Sequence, residues 1–156
     1  MIHQLITDVD GVMTDGKFFY TESGKIMKQF GPHDNDGIKM LRVHGIKTHA
    51  ITADERGFLI TKKRLDDIGV PLTLVSENYR LNFIETNFGF QYTAFVGDGF
   101  YDFECLSKCQ IGYAPKNATE HAKNHADHII PCNGGEGVLL YVALDILQRE
   151  NYETNT

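Results

Sequence analysis

Short apolar, β-branched runs alternate along the chain with stretches in which apolar residues recur every three or four positions. The runs at 5–8, 48–52, 72–75, 93–96, 111–113 and 128–130 have the length and composition of buried strands. Between them, 37–44, 57–68, 81–88, 103–108 and 119–125 carry the helical period. A last helix over 138–148 places Val138, Leu139, Val142, Ile146 and Leu147 on one face. Alternation of this kind predicts an α/β fold built on a mainly parallel sheet. One piece breaks the pattern: 17–20 and 25–30 are β-rich runs flanking Thr21-Glu22-Ser23-Gly24, which predicts a β-hairpin directly after the first strand. A two-stranded ribbon cannot bury Phe18, Phe19, Tyr20, Ile26, Met27 and Phe30 by itself. The hairpin is therefore expected to pack on the body of the domain or on another subunit. The sequence shows no repeat or linker, so residues 1–150 read as a single domain with a hairpin flap at about 17–30, and the polar stretch 151–156 is expected to fray.

The 156-residue length suits one domain, and 42% hydrophobic with 23% charged residues is an ordinary globular balance. Fifteen Lys and Arg against 21 Asp and Glu give a formal charge of −6, which argues against a nucleic-acid binder or an anionic-membrane binder. The three cysteines are too few, and odd in number, for a secreted disulfide framework. No signal-peptide pattern and no membrane-length apolar run is visible, so the expected location is cytoplasmic.

The chemistry concentrates where strands are expected to end. The first run leads into Asp8-Val9-Asp10-Gly11, and ligands of open α/β sheets sit beyond the C-terminal strand ends. Two carboxylates one residue apart concentrate like charge there, and a divalent cation with a preference for hard oxygen ligands, such as Mg²⁺, would offset it. The same tetrapeptide also reads as a polar turn. A second acidic pair shifts the balance: the run 93–96 leads into Gly97-Asp98-Gly99-Phe100-Tyr101-Asp102, and the run 48–52 ends on Thr52. Three strand ends presenting Asp/Asp, Thr and Asp/Asp describe one site better than three separate turns.

These residues carry a resemblance. Asp8-x-Asp10-Gly11-Val12-x-Thr14-Asp15-Gly16 resembles the first motif of the haloacid dehalogenase superfamily of phosphohydrolases. Thr52 resembles the second motif and Gly97-Asp98-x-x-x-Asp102 the fourth. The hairpin and the late Gly134-Gly135-Glu136-Gly137 narrow the match. They are similar to the small capless branch that includes 3-deoxy-D-manno-octulosonate 8-phosphate phosphatases and acylneuraminate and deaminoneuraminate 9-phosphate phosphatases.

The resemblance implies a three-layer, Rossmann-like sandwich with the first strand central and no large cap. It implies Mg²⁺-dependent hydrolysis of a sugar-acid phosphate monoester, with Asp8 as nucleophile and Asp10 as general acid, then base. The metal would be held by the Asp8 carboxylate, the Asp10 backbone carbonyl and Asp98, with Asp102 direct or through water. Thr52, Ala53 and Arg80 would bind the substrate. It also implies a homotetramer in which neighbouring subunits cover a site that lacks a cap.

The chain departs from the family pattern in three places. Arg80 stands where the third motif has a Lys; the rival reading gives that role to Lys62 or Lys63. The second motif continues Thr52-Ala53-Asp54-Glu55-Arg56 instead of with Gly and then Arg or Glu. Val138 follows the Gly-rich turn where relatives in the octulosonate group tend to carry Arg. A non-catalytic regulatory or oligomerisation domain, of the sort attached to acylneuraminate cytidylyltransferases, is the alternative to an enzyme. His121, His125, His128 and Cys132 could be drawn as a zinc site, but a surface or interface role is the better reading.

Overall fold

The computed structural model describes residues 1–150; the stretch expected to fray, 151–156, lies outside them. The strands are β1 (Gln4–Asp8), β2 (Phe19–Thr21), β3 (Gly24–Met27), β4 (Lys47–Thr52), β5 (Leu72–Leu74), β6 (Thr93–Val96), β7 (Ile111–Pro115) and β8 (His128–Ile130). The helices are α1 (His33–Val43), α2 (Phe58–Asp67), α3 (Arg80–Asn87), α4 (Phe103–Lys108), α5 (Glu120–His125) and α6 (Val138–Arg149). Six strands form one sheet in the order β5-β4-β1-β6-β7-β8, every neighbouring pair parallel, with β1 inside it.

Side chains alternate across this sheet because successive Cβ atoms of a strand point to opposite faces. Leu5, Ala50, Ala94, Val96 and Tyr113 meet α1, α2 and α6 on one face, through Ile38, Leu41, Leu65, Leu139, Val142 and Ile146. Ile6, Ile51, Phe95 and Ala114 meet α3, α4 and α5 on the other, through Ile84, Leu106 and Ala122. The result is the expected three-layer sandwich, without a large cap among the described residues. Among the described residues no helix is long and apolar enough to cross a membrane.

The chain winds outward from β1 through β4 to β5, then returns to the opposite side of β1 as β6. That reversal opens a crevice at the C-terminal ends of β1, β4 and β6, where α/β sheets bind ligands. Asp8 and Thr52 are the last residues of β1 and β4, and Asp98 lies two residues past the end of β6.

Two local expectations change. Helix α1 starts at His33, four residues before the expected start at Gly37. Gly37 does not interrupt it; a Cβ there would lie 2.3 Å from the Leu139 carbonyl oxygen of α6, so glycine permits a close helix–helix crossing. The hairpin strands are shorter than the runs 17–20 and 25–30: Thr21 pairs with Gly24 around Glu22-Ser23, and Phe30 makes only an isolated bridge to Thr14. Of its apolar residues, only Phe30 packs against the core. Phe19, Tyr20, Ile26 and Met27 face outward at 47–56% exposure.

Candidate active site

The first strand delivers Asp8 almost buried, 7% exposed, with its Oδ1 accepting the Val9 N–H at 2.8 Å. Gly11 follows at φ +89, a left-handed turn, and a Cβ there would lie 1.9 Å from Asp98 Oδ2. Only glycine lets the second acidic loop lie directly over the first. Thr14 closes the turn, its Oγ1 accepting the N–H groups of Gly11 and Gly16 at 3.2 and 3.1 Å. The Gly-rich turn supports this loop from behind. Gly135 donates to the Val12 carbonyl at 2.9 Å, and a Cβ on Gly134 would lie 2.0 Å from the Gly11 carbonyl oxygen.

Arg80 opens α3 and is 5% exposed. Its Nη1 donates to Asp8 Oδ2 at 3.0 Å and closely to Asp102 Oδ1, while Nη2 lies 3.3 Å from Asp8 Oδ1. Asp102 Oδ2 accepts the N–H groups of Asp98 and Gly99 at 3.1 and 2.9 Å, which folds the fourth-motif loop around its own carboxylate. Lys62 and Lys63 take no part: both are exposed on α2 and paired with Asp66 and Asp67.

Asp8, Asp98 and Asp102 present oxygens within 4.8 Å of one another, facing the single Arg80 guanidinium. Burial, with repulsion from the neighbouring carboxylates, pushes Asp98 up to about 8. Burial likewise raises Asp8 to about 6, against the pull of Arg80. Fully ionised, the three carboxylates would exceed the one cation by two negative charges, and all the donors are hard oxygens. The set fits a divalent cation of the magnesium type.

On the other side of the cleft the charges balance. Lys28, from the foot of the hairpin, is fully buried and hydrogen-bonds Asp10 Oδ2 and Thr61 Oγ1, each at 2.8 Å. It also ion-pairs with Asp54 at 2.7 Å, as does Lys25 at 2.6 Å, and Lys25 Nζ sits 3.5 Å over the Phe18 ring. Burial works against the charge of Asp54, but its two lysines hold it below the usual carboxylate range. Asp10 is raised, burial outweighing Lys28. Thr52 Oγ1 accepts the Asp54 N–H at 3.1 Å.

The structure thus gathers Asp8, Asp10, Thr52, Ala53, Arg80 and Asp98 on one open cleft of about 310 Å³, with Asp102 immediately behind Arg80. Glu77 also lines it. The Asp10 side chain turns toward Lys28, away from the three clustered carboxylates. Lys25, Lys28 and Asp54 are site residues that sequence reasoning missed. The available signal was two lysines flanking Ile26-Met27 in the hairpin run. His121 and His125 stack among Phe100 and Phe103 instead of converging with His128 and Cys132 on a metal position; among the described residues the one metal-competent cluster is acidic.

Comparison with known proteins shows the family. The family model of haloacid dehalogenase-like hydrolases matches residues 80–142. The 3-deoxy-D-manno-octulosonate 8-phosphate phosphatase of Haemophilus influenzae is 31% identical over 151 residues, covering 94% of this chain and 83% of that protein. The chain belongs to the haloacid dehalogenase-like hydrolases. A cobalt-bound structure of the Haemophilus influenzae phosphatase superposes with a TM-score of 0.85 at 30% identity, covering 96% of this chain and 90% of that one. N-acylneuraminate cytidylyltransferase A of Danio rerio is 24% identical over 94% of this chain, but the match spans only 35% of that protein.

Proposed function

We propose that the protein is a magnesium-dependent phosphatase that hydrolyses the phosphate monoester of a sugar acid, an octulosonate 8-phosphate or a nonulosonate 9-phosphate, through an aspartyl-phosphate. The observation that carries this reading is the convergence of Asp8, Asp98 and Asp102 around Arg80, with Asp10 held separately across the same cleft.

Asp8 attacks phosphorus: its oxygen forms a bond to phosphorus as the bond to the sugar oxygen breaks, and Asp10 gives that oxygen its proton. Water then attacks the aspartyl-phosphate, Asp10 takes the water's proton, and free phosphate and the Asp8 carboxylate are restored. The raised Asp10 suits a group that must begin protonated. Arg80 keeps Asp8 oriented by gripping both its oxygens. The Thr52 hydroxyl and the Ala53 backbone, at the end of β4, would receive the phosphoryl oxygens. Magnesium, held by Asp8, the Asp10 carbonyl and Asp98, with Asp102 direct or through water, would neutralise charge between the phosphate dianion and the carboxylates.

The site lies open on one face, and the outward side of the hairpin is apolar. A homotetramer that buries Phe19, Tyr20, Ile26 and Met27 against neighbouring subunits would cover both. A cytoplasmic location and one domain over 1–150 belong to the same reading.

The likeness to part of a cytidylyltransferase supports a second reading, a non-catalytic domain that assembles or regulates. Phosphate release from octulosonate 8-phosphate, nonulosonate 9-phosphates and hexose phosphates in the presence of Mg²⁺ separates the two. Turnover that is lost in Asp8→Asn and highest on a sugar acid supports the first. No release from any substrate supports the second. Equal slow rates on all substrates would keep the phosphatase and remove the sugar-acid assignment.

A further inference from the structure

Asp10 is held in an asymmetric way. Lys28 donates to its Oδ2 at 2.8 Å, whereas its Oδ1 accepts only a long hydrogen bond from the Thr14 hydroxyl, at 3.5 Å, among the described residues. An ammonium group has three protons and no lone pair, so it cannot accept a hydrogen bond. A proton placed on Oδ2 would point at a donor. Lys28 thus engages Oδ2 at short range, and Oδ1, contacted only at 3.5 Å, is the less engaged oxygen. Lys28 itself has little freedom: its Nζ is fixed by Asp10, Thr61 and Asp54, its side chain is fully buried, and Asp54 is anchored in turn by Lys25 and by the Gly57 N–H at 3.1 Å.

We infer that Lys28 is a positioning residue for the general acid: it clamps Oδ2 of Asp10, leaves Oδ1 to carry the proton to the departing oxygen, and so makes the hairpin part of the catalytic apparatus of its own chain. The inference rests on the role proposed for Asp10. It also accounts for the inward Lys25 and Lys28, which reach Asp54 and Asp10 while Phe19, Tyr20, Ile26 and Met27 stay exposed. A hairpin serving only as packing would place its apolar side inward.

The test uses the dependence on the leaving group. Protonation matters for an alkoxide, which leaves poorly, and little for p-nitrophenolate, which leaves well without help. kcat/KM covers the steps through phosphoryl transfer and so isolates this proton from the later attack of water. With glycerol 3-phosphate and p-nitrophenyl phosphate as probes, Lys28→Met is expected to lose ~10²-fold on the alkyl ester and less than ~5-fold on the aryl ester. Equal losses on both esters would mean that Lys28 only anchors the hairpin, and would overturn the inference. If Lys28→Met does not fold, Asp54→Asn removes one of the lysine's anchors and keeps its charge matched to Asp10. It is expected to shift the same ratio by ~3–10-fold, and an unchanged ratio overturns the inference equally. Asp10→Asn serves as the control. If its ratio does not move, the proposed role of Asp10 fails; if it moves while that of Lys28→Met does not, only the role of Lys28 fails.

Discussion

Arg80 and Asp8 are 72 residues apart in the chain and meet through two hydrogen bonds, Nη1 to Oδ2 at 3.0 Å and Nη2 to Oδ1 at 3.3 Å. The same Nη1 reaches Asp102, so one planar guanidinium spans two carboxylates from different loops. A lysine ammonium is a point charge and cannot present two parallel donors to one carboxylate. An arginine at this position therefore gives a geometry that a lysine of equal charge would not.

Arg80→Lys should retain the fold and lose ~10²-fold in kcat, because Asp8 is no longer held through both oxygens. Arg80→Met should cost ~3–5 kcal/mol of stability in chelator, since it strands buried carboxylates, with part recovered in magnesium. Urea unfolding with and without the ion checks this; a stability loss that magnesium does not reduce would speak against a cation among these carboxylates.

Titration calorimetry should show one magnesium ion bound per chain, with Asp98→Asn weakening it by at least ~10-fold. The same variant should melt higher than the unsubstituted protein in chelator, because the carboxylate it removes has no side-chain partner of opposite charge. A lower melting point in chelator would contradict the charge excess assigned to this cluster.

Asp34 gives a pH dependence away from the cleft. It is 2% exposed, its Oδ1 accepts the Leu139 N–H at 2.9 Å at the start of α6, and its Oδ2 has no hydrogen-bond partner. Burial pushes it from 3.8 up to about 6. The folded state thus holds this proton more tightly than the unfolded chain, and stability falls as pH rises from about 4 to about 6, by ~3 kcal/mol, then levels. Asp34→Asn keeps the Oδ1 acceptor and removes that dependence. The variant should be ~1–3 kcal/mol more stable at neutral pH, with the advantage vanishing near pH ~4, as followed by urea unfolding at each pH.

Gly37→Ala should destabilise by ~1–3 kcal/mol, although alanine is the better helix former, because its methyl group would displace the α6 backbone. Thermal melting decides: a gain of stability would mean that the α1–α6 crossing is looser than described.

Light scattering should find a tetramer that Phe19→Asp combined with Ile26→Asp dissociates, since both residues lie on the outward apolar side of the hairpin. A monomeric unsubstituted protein at micromolar concentration would remove the assembly proposal.

What could be read from the sequence was what depends on nearest neighbours along the chain. Strand and helix periods predicted an α/β fold on a mainly parallel sheet, and the family resemblance carried that to the sandwich whose core the sheet divides between its two faces. Asp8, Thr52 and Asp98 could be picked out because each sits at, or just past, the end of an apolar run. Only the tertiary structure showed that Arg80 is buried against Asp8 while Lys62 and Lys63 are exposed, because charge alone does not say which cation is buried. It alone placed Lys25 and Lys28 inward and left Phe19, Tyr20, Ile26 and Met27 exposed, reversing what hydrophobicity predicts for an isolated ribbon. That reversal comes from pairing across the fold: Asp10 and Asp54 offer two half-buried charges that the hairpin lysines reach, and the gain from matching them is invisible to any local pattern. Gly37 teaches the same lesson from the steric side, for its role lies in a helix a hundred residues away.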